Sequence, residues 1–211
     1  MPVILRSRFL RPDFELRPYS VSDETEWREV RGRNARWLRP WDSTSPVEAP
    51  PVSFRQWVRM LEDEAGEGTD IVWGMRLNGR LVGEISLGAI EYGSLRTGIA
   101  GYWVDQAMAG RGLAPLALAM VCDWALLAPD GPHLHRIEVD MLPANHNSRR
   151  VAEKTGFTFE GVRRQYMHVA GKWEDHESWT LLDSDPPVRS GSVEWSLAHR
   201  LELSRQTQPV S

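Results

Sequence analysis

A short glycine-rich turn over residues 110–114 combines residue types that can bind an anion. It reads Gly110-Arg111-Gly112-Leu113-Ala114 and joins a predicted strand to a long apolar helix. Small residues let a ligand approach the backbone closely, and the free N–H groups at the start of a helix attract anions. The turn therefore predicts a pyrophosphate site made of backbone, with a plain connecting turn as the alternative. It is not a Walker loop, because no Gly-Lys-Ser/Thr follows.

A second polar group follows the next predicted strand, Ile137–Met141. It consists of Asn145 and Ser148, with His146 and Asn147 between them. Amides and a hydroxyl placed just beyond a buried strand can hydrogen-bond the amide groups of a ligand. The alternative is an ordinary helix cap supplied by Asn147 or Ser148.

The elements that must position these residues follow from the hydrophobic pattern. We expect strands over residues 14–19, 71–77, 80–90, 96–104, 135–141, 157–168 and 173–182. We expect helices that begin near residues 22, 53, 113 and 147. Asn78-Gly79 is a tight-hairpin signal, and residues 33–41 are expected to form a loop. This order predicts one α+β domain, a mixed sheet with helices on its faces.

Composition excludes several classes of protein. The chain has 211 residues, a net charge of -4 and a single cysteine, Cys122. No stretch reaches the ~20 apolar residues of a membrane span. The N-terminus, Met1-Pro2-Val3-Ile4-Leu5-Arg6, has no cationic region before an apolar core, so no secretory signal is expected. The lone Cys122 excludes an internal disulfide and suits a reducing cytoplasm. The acidic balance argues against direct nucleic-acid binding. The six histidines lack metal-ligand spacing, so no metal is expected.

Three segments are expected along the chain. Residues 1–13 are an N-terminal extension, residues 14–182 form the domain, and residues 183–211 are a tail that follows a Pro/Ser linker. Val193, Leu197 and Leu201 recur every four residues, which indicates a possible short helix in this tail.

The motifs together resemble the GNAT acetyltransferases. The resemblance rests on the order of elements, on the turn at residues 110–114, and on Asn145, Ser148 and the run Glu153-Lys154-Thr155-Gly156-Phe157. Further matches point more narrowly to the RimJ/RimL type, which acetylates the N-termini of ribosomal proteins. These lie at residues 16–18, 135–139, 157–161 and 175–177. The likeness covers about residues 14–182, and its combination of motifs is more specific than any one of them.

The resemblance implies the GNAT fold: a mostly antiparallel mixed sheet with two splayed parallel strands and helices on both faces. It also implies an acetyl-CoA site in the cleft between the splayed strands. By residue, it assigns the pantetheine arm to the backbone of Trp103 and Val104 and to Asn145. It assigns the pyrophosphate to Gly110, Arg111, Gly112, Leu113 and Ala114. It places the hydroxyl of Ser148 near the thiol, as the acid that protonates the leaving thiolate.

The sequence departs from the family pattern at two positions. The turn usually begins with Gln or Arg, whereas Ala109 stands here. Many members carry a tyrosine general acid in the helix after Asn145, but that position is Ala152. The second departure leaves Ser148 or solvent as the proton source.

Three carboxylates are candidates to accept the proton of the attacking amine. Glu138 and Asp140 are two residues apart on one strand and so share a face. A related bacterial enzyme type has a glutamate base on this strand, and the ungapped match falls on Asp140. Glu84, on the strand 82–86, is the third candidate. The alternative for each is an ion pair with an arginine or a solvated position.

Aromatic residues divide into two groups. Trp37, Trp41 and Tyr166 are expected to line a substrate groove, because the first two lie in a predicted loop between helices. Trp27, Trp57 and Trp124 fall within helical patterns and are expected in the core.

The function expected from all of this is acetyl-CoA-dependent, metal-free acetylation of the N-terminal α-amine of a protein, with a ribosomal protein as the expected acceptor. Transfer would be direct, within a ternary complex, by a monomer or homodimer with no membrane association. Two alternatives stay open. One is a GNAT enzyme for a small amine such as a polyamine, an amino acid or an aminoglycoside. The other is a non-catalytic, CoA-binding, ribosome-associated module.

Overall fold

The computed structural model describes residues 3–206, with the side chains of residues 202–206 left undescribed. Its centre is one eight-stranded sheet in the order β1-β2-β3-β4-β5-β6-β8-β7. The strands are Leu5–Arg6 (β1), Phe14–Pro18 (β2), Ile71–Leu77 (β3), Arg80–Glu91 (β4), Thr97–Val104 (β5), Arg136–Met141 (β6), Thr158–Val169 (β7) and Lys172–Leu182 (β8). Only the β5–β6 pair is parallel among these strands. The predicted α+β fold with a mostly antiparallel mixed sheet is confirmed.

Seven α-helices accompany the sheet within the described residues. They are Glu24–Arg33 (α1), Ala35–Leu38 (α2), Phe54–Glu67 (α3), Leu113–Leu127 (α4), His146–Thr155 (α5), Pro186–Arg189 (α6) and Val193–Gln206 (α7). None of the helices in residues 3–206 is long and apolar enough to cross a membrane.

Local sequence signals explain several boundaries. Ser53 caps α3 by accepting a hydrogen bond from Gln56 N, and Gly68 ends the helix with φ of 76°. Asn78 and Gly79 have φ of 51° and 77°, which closes the β3–β4 hairpin as the sequence predicts.

Two apolar clusters hold helices against opposite faces of the sheet. The larger one contains α4, where Cys122 is fully buried and Trp124 meets Trp73 at a ring distance of 5.6 Å. The smaller one joins α1 and α3 to β4 through Tyr19, Phe54 and their neighbours, with Trp27 and Trp57 packed against it. The smaller cluster is rich in aromatic rings, and those of Trp27 and Trp57 lie 5.3 Å apart.

The expectation of a loop over residues 33–41 is wrong in part, because α2 lies within this segment. Asn34 explains the difference: its amide donates to Val30 O at 2.8 Å and to the Asp105 carboxylate at 3.0 Å. These buried bonds hold the chain in a helical path, and Leu38 is buried at the end of it. No local pattern marks this helix, since the Asp105 partner is 71 residues away.

Both segments that flank residues 14–182 pack onto the same body. The N-terminal segment supplies β1, which pairs with β2. In the tail, Val193 and Leu197 of α7 are buried in the larger cluster. The division of the chain at residues 14 and 182 stays a prediction.

Candidate active site

A cleft of about 860 Å³ opens where the two parallel strands separate. β5 and β6 pair only at Thr97 with Arg136, Gly98 with Ile137 and Ile99 with Glu138. Beyond these pairs β5 continues on β4 and β6 continues on β8, so the facing edges of residues 100–104 and 139–141 are left apart. The cleft therefore passes between the strands and reaches both faces of the sheet.

Most of the predicted site residues line this single cleft. They are Trp37, Trp41, Glu84, Trp103, Val104, Gly110, Gly112, Leu113, Ala114, Asp140, Asn145 and Ser148. Three predicted residues are not among those that line it: Arg111, Glu138 and Tyr166.

The glycine turn forms an open cradle at the start of α4. Gly110 and Gly112 both have φ of 77°, and a Cβ at either position would meet no atom within 4 Å. Gly112 is the N-cap of the helix, and its carbonyl accepts from Leu116 N at 3.2 Å. The first N–H groups of α4 lack a partner inside the helix, as at every helix start. Positive φ, open space and free donors together fit a pyrophosphate bound by backbone.

Asn145 is the N-cap of α5, so the expectation that Asn147 or Ser148 caps this helix is wrong. The Asn145 side-chain oxygen accepts from Ser148 N at 3.1 Å. This cap orients the first turn of α5, which brings the Ser148 side chain to the cleft.

Tyr102 is a cleft residue that the sequence reasoning missed. Its hydroxyl lies 2.8 Å from Ser148 Oγ and 3.3 Å from the Ser148 carbonyl oxygen. Burial raises the pKa of Tyr102, so the phenol stays protonated. Strand alternation was the signal available in the sequence, because the neighbouring residues Tyr102 and Trp103 must point to opposite faces of β5. In the structure Trp103 contacts Glu84 on one face, and Tyr102 contacts Ser148 on the other.

Glu84 lies on the α1 face of the sheet, within an aromatic surround. Its carboxylate accepts from Tyr19 Oη at 2.9 Å, Trp103 Nε1 at 3.2 Å and Trp27 Nε1 at 3.4 Å. Burial raises the pKa of Glu84, and these three hydrogen bonds oppose the shift.

Asp140 lies in the separated part of β6, and its side chain is 0% exposed. Neither of its carboxylate oxygens has a hydrogen-bond partner among the described residues. Arg163 Nη1 is 3.5 Å from Oδ2. Burial raises the pKa of Asp140, and the nearby Ser178 hydroxyl and the Arg163 guanidinium oppose that shift. Asp140 therefore keeps a buried carboxylate at the wall of the cleft, with the Arg163 guanidinium as its ionic partner.

Glu138 is occupied by two arginines instead. Arg136 Nε lies 2.7 Å from one oxygen, and Arg163 pairs with the other. Its neighbour Arg163 also donates to the hydroxyl of Tyr166 at 2.8 Å and stacks on that ring at 4.8 Å. Glu138 and Tyr166 thus belong to a polar cluster beside the cleft.

A short segment bridges the outer side of the cleft. Ser43 pairs with Val169 of the β7–β8 hairpin as an isolated antiparallel bridge. Thr44 N donates to His168 O at 2.8 Å, and Thr44 Oγ1 lies 2.7 Å from His168 Nδ1. We call residues 41–44 the strap. Trp41, within it, is 38% exposed and lines the cleft.

No group of three or more His, Cys, Asp or Glu side chains that could hold a metal occurs in the part of the chain that the structure describes. A metal-free reaction stays a prediction.

The cleft between the two parallel strands thus brings together a backbone anion site at the start of α4, Glu84 on the β4–β5 side and Asp140 on the β6 side. The family model for the acetyltransferase (GNAT) domain matches residues 13–158. The chain belongs to the GNAT acetyltransferase family, and the RimJ/RimL-type resemblance is confirmed.

Individual relatives agree with this assignment. A probable N-acetyltransferase of Bacillus subtilis (strain 168), YjcK, is 41% identical over 175 residues, which is 81% of this chain and 94% of the relative. The [ribosomal protein uS5]-alanine N-acetyltransferase of Escherichia coli (strain K12) is 24% identical over 78% of this chain and 86% of its own length. The solved structure of Mycobacterium smegmatis RimJ in complex with CoA-disulfide has a TM-score of 0.80 and 30% identity, covering 96% of this chain and 95% of that chain.

Proposed function

We propose that this protein transfers the acetyl group of acetyl-CoA to the N-terminal α-amine of a protein, with a ribosomal protein as acceptor. The observation that carries the proposal is the cleft between β5 and β6, which joins the glycine cradle to the carboxylates Glu84 and Asp140. GNAT acetyltransferases use acetyl-CoA, and the RimJ relative was solved with a CoA disulfide. The protein acceptor is supported by the uS5-alanine specificity in the name of the E. coli relative.

The residues that would hold acetyl-CoA follow the cleft. The N–H groups at the start of α4, opened by Gly110 and Gly112, suit the pyrophosphate. The free edge of β5 at Trp103 and Val104 suits the amide groups of pantetheine, because an unpaired strand edge offers donors and acceptors in alternation. The Asn145 side chain lines the same stretch of the cleft.

The reaction needs one bond formed and one broken. The neutral amine attacks the thioester carbonyl, a C–N bond forms, and the C–S bond breaks with its electron pair on sulfur. N–H groups on the free edge of β5 can hydrogen-bond the carbonyl oxygen as negative charge develops there.

We assign the acceptance of the amine proton to Asp140, directly or through water. Within residues 3–206 its oxygens accept no hydrogen bond, whereas both oxygens of Glu84 do. The Glu84 carboxylate would instead attract the cationic form of the amine to the acceptor side. Glu138 is held in two ion pairs and receives no role in this scheme.

Ser148 is proposed to donate a proton to the departing thiolate. Two observations support this role: Ser148 lines the cleft, and its backbone N–H donates to Asn145, the residue expected to contact pantetheine. The amine releases one proton and the thiolate takes up one. Solvent can then carry the proton from Asp140 back to Ser148, so the enzyme is regenerated without a metal or a covalent intermediate.

A small amine is a second candidate acceptor, and the strap favours it. Because Ser43 and Thr44 bond the β7–β8 hairpin, the acceptor side of the cleft is bounded rather than open along its length. A bounded site with two carboxylates also suits a polyamine.

One assay separates the candidates. CoA release from acetyl-CoA is followed against peptides that begin with Ala or Ser, the same peptides with blocked N-termini, and small amines including spermidine. The proposal expects turnover only with free peptide N-termini. A higher kcat/KM with spermidine than with the peptides would show that the acceptor is a small amine. Tight acetyl-CoA binding without turnover of any acceptor would identify a non-catalytic module.

A further inference from the structure

Two hydroxyls meet at the cleft where the family pattern has supplied only one candidate, Ser148. Tyr102 Oη is 2.8 Å from Ser148 Oγ, yet the two residues are 46 positions apart in sequence. Tyr102 also lines the cleft, so the pair lies at its wall.

The hydrogens of this pair can be arranged in two ways. In one arrangement Ser148 donates to Tyr102 Oη, and the phenol donates to the Ser148 carbonyl oxygen at 3.3 Å. In the other, the phenol donates to Ser148 Oγ and the serine hydrogen is free to point elsewhere. The two differ by rotation of hydroxyl hydrogens alone, so no heavy atom has to move.

We propose that Tyr102 is a positioning residue for the proton transfer to the leaving thiolate. Its phenol donates to Ser148 Oγ, which leaves the serine hydrogen directed at the sulfur. This inference rests on the proposed function, since it concerns the thiolate that acetyl transfer releases.

Two physical reasons favour the second arrangement during the reaction. Negative charge grows on Ser148 Oγ as its proton leaves, and a hydrogen bond donated by the phenol stabilises that charge. The raised pKa of Tyr102 keeps its proton on the phenol, so the donor is available across the working pH range. The phenol of Tyr102 on β5 thus supports Ser148 of α5, whereas Ala152 of that helix carries no hydroxyl.

The experiment compares Tyr102→Phe, Ser148→Ala and the double variant with the parent protein. CoA release is measured with a short peptide that begins with alanine. If no acceptor is turned over, the slow hydrolysis of acetyl-CoA is measured instead, since it breaks the same C–S bond. Tyr102→Phe is expected to lower kcat about tenfold, the worth of one well-placed hydrogen bond. KM for acetyl-CoA should change less than twofold.

The double variant distinguishes positioning from packing. If Tyr102 acts through Ser148, adding Tyr102→Phe to Ser148→Ala should cause no further loss of kcat. A full additional tenfold loss, or an unchanged kcat in Tyr102→Phe alone, would overturn the inference. If Ser148→Ala leaves kcat unchanged, the proton-donor role of Ser148 in the proposed function is rejected, and with it the positioning role of Tyr102.

Tyr92→Phe is the matched control. Its hydroxyl also bonds a backbone carbonyl, that of Gly68 at 3.2 Å, but it lies outside the residues that line the cleft. It should keep the parent kcat. CoA binding measured by calorimetry should be equal in all variants, which verifies that the Tyr102→Phe protein is folded.

Discussion

At the scale of single residues, Ser148 is held by two contacts that do not depend on each other. Its backbone N–H donates to the Asn145 side chain at 3.1 Å, and its Oγ lies 2.8 Å from the Tyr102 hydroxyl. Ser148→Ala removes only the second contact and the donor. We expect kcat for CoA release to fall at least tenfold, because protonation of the leaving group is lost. KM for acetyl-CoA should stay within twofold, and an unchanged kcat would contradict the donor role.

The two cleft carboxylates can be told apart by their pH dependence. Burial raises the pKa of Asp140, and the proposed base must be ionised to work. Activity should therefore fall as pH drops through this raised pKa, above the ordinary aspartate value of about 3.9. Asp140→Asn should lower kcat about a hundredfold and abolish this acidic limb of the kcat profile.

Glu84→Gln serves as the comparison for Asp140→Asn. It retains the shape of the side chain but removes the negative charge that would attract the cationic amine. KM for the acceptor should rise several-fold while kcat changes less than in Asp140→Asn. If the acidic limb disappears in Glu84→Gln and persists in Asp140→Asn, Glu84 is the base.

At the scale of elements, the turn before α4 can be tested with two glycines of equal conformation. Gly112 and Gly79 both have φ of 77°, and a Cβ at either would meet no protein atom within 4 Å. Alanine at each position should cost about 1 kcal/mol of folding free energy, because of the positive φ. Only Gly112→Ala should also weaken CoA binding, about tenfold, since its methyl group would intrude on the pyrophosphate path.

Calorimetric titration with CoA measures that difference. Gly79 closes the β3–β4 hairpin and is not among the residues that line the cleft, so Gly79→Ala isolates the cost of backbone strain. Equal CoA affinity in the two variants would show that the turn does not hold the cofactor.

Elements with a strong local pattern could be predicted from the sequence, and contacts between distant elements could not. Alternation, caps and the Asn78-Gly79 signal located β3, β4 and α3 because each depends on neighbouring residues. The helix α2 was missed because Asn34 finds its partner at Asp105, on another element. Contacts between residues far apart in sequence leave no local pattern, and this sets the limit of the prediction.

The same limit applies to the candidate site. The glycine turn, Asn145 and Ser148 could be found because local motifs carry them. Tyr102 could not be paired with Ser148 without knowing that β5 runs beside α5. The sequence left all three carboxylates as candidates, and the fold distinguishes them by their partners: two arginines at Glu138, aromatic donors at Glu84, and at Asp140 one more distant arginine with no hydrogen bond to the carboxylate oxygens within the described residues.

At the scale of the whole molecule, a buried carboxylate joins residues 7–10 of the N-terminal segment to the start of α7. Glu194, at the start of α7, is 2% exposed. It accepts from Ser7 Oγ at 2.6 Å and from the backbone N–H groups of Arg8, Phe9 and Leu10 at 3.0–3.3 Å. On the other side, Asp123 of α4 accepts from Val193 N and Glu194 N. The tail thus joins the N-terminal segment to the central helix.

This tie predicts that stability and activity can be separated. Glu194→Ala leaves the Ser7 hydroxyl and several backbone donors without a partner, which should lower the free energy of unfolding by about 2–3 kcal/mol. Neither Glu194 nor any of residues 7–10 lines the cleft, so the CoA affinity of the folded protein should be unchanged. Urea unfolding and calorimetry measure the two quantities on the same preparation.

Glu29→Ala is the control for removing a carboxylate of the same type. Glu29 is 69% exposed and its ion pair with Arg33 spans 3.4 Å on one helix, so its loss should cost no more than about 0.5 kcal/mol. Equal destabilisation in the two variants would mean that the bonds from residues 7–10 contribute nothing. A loss of CoA affinity in Glu194→Ala would instead show that the tail supports the cleft through α4, whose first turn forms the cradle and whose Asp123 caps α7. The two measurements therefore determine whether the contacts between residues 7–10 and α7 only stabilise the fold or also maintain the cofactor site.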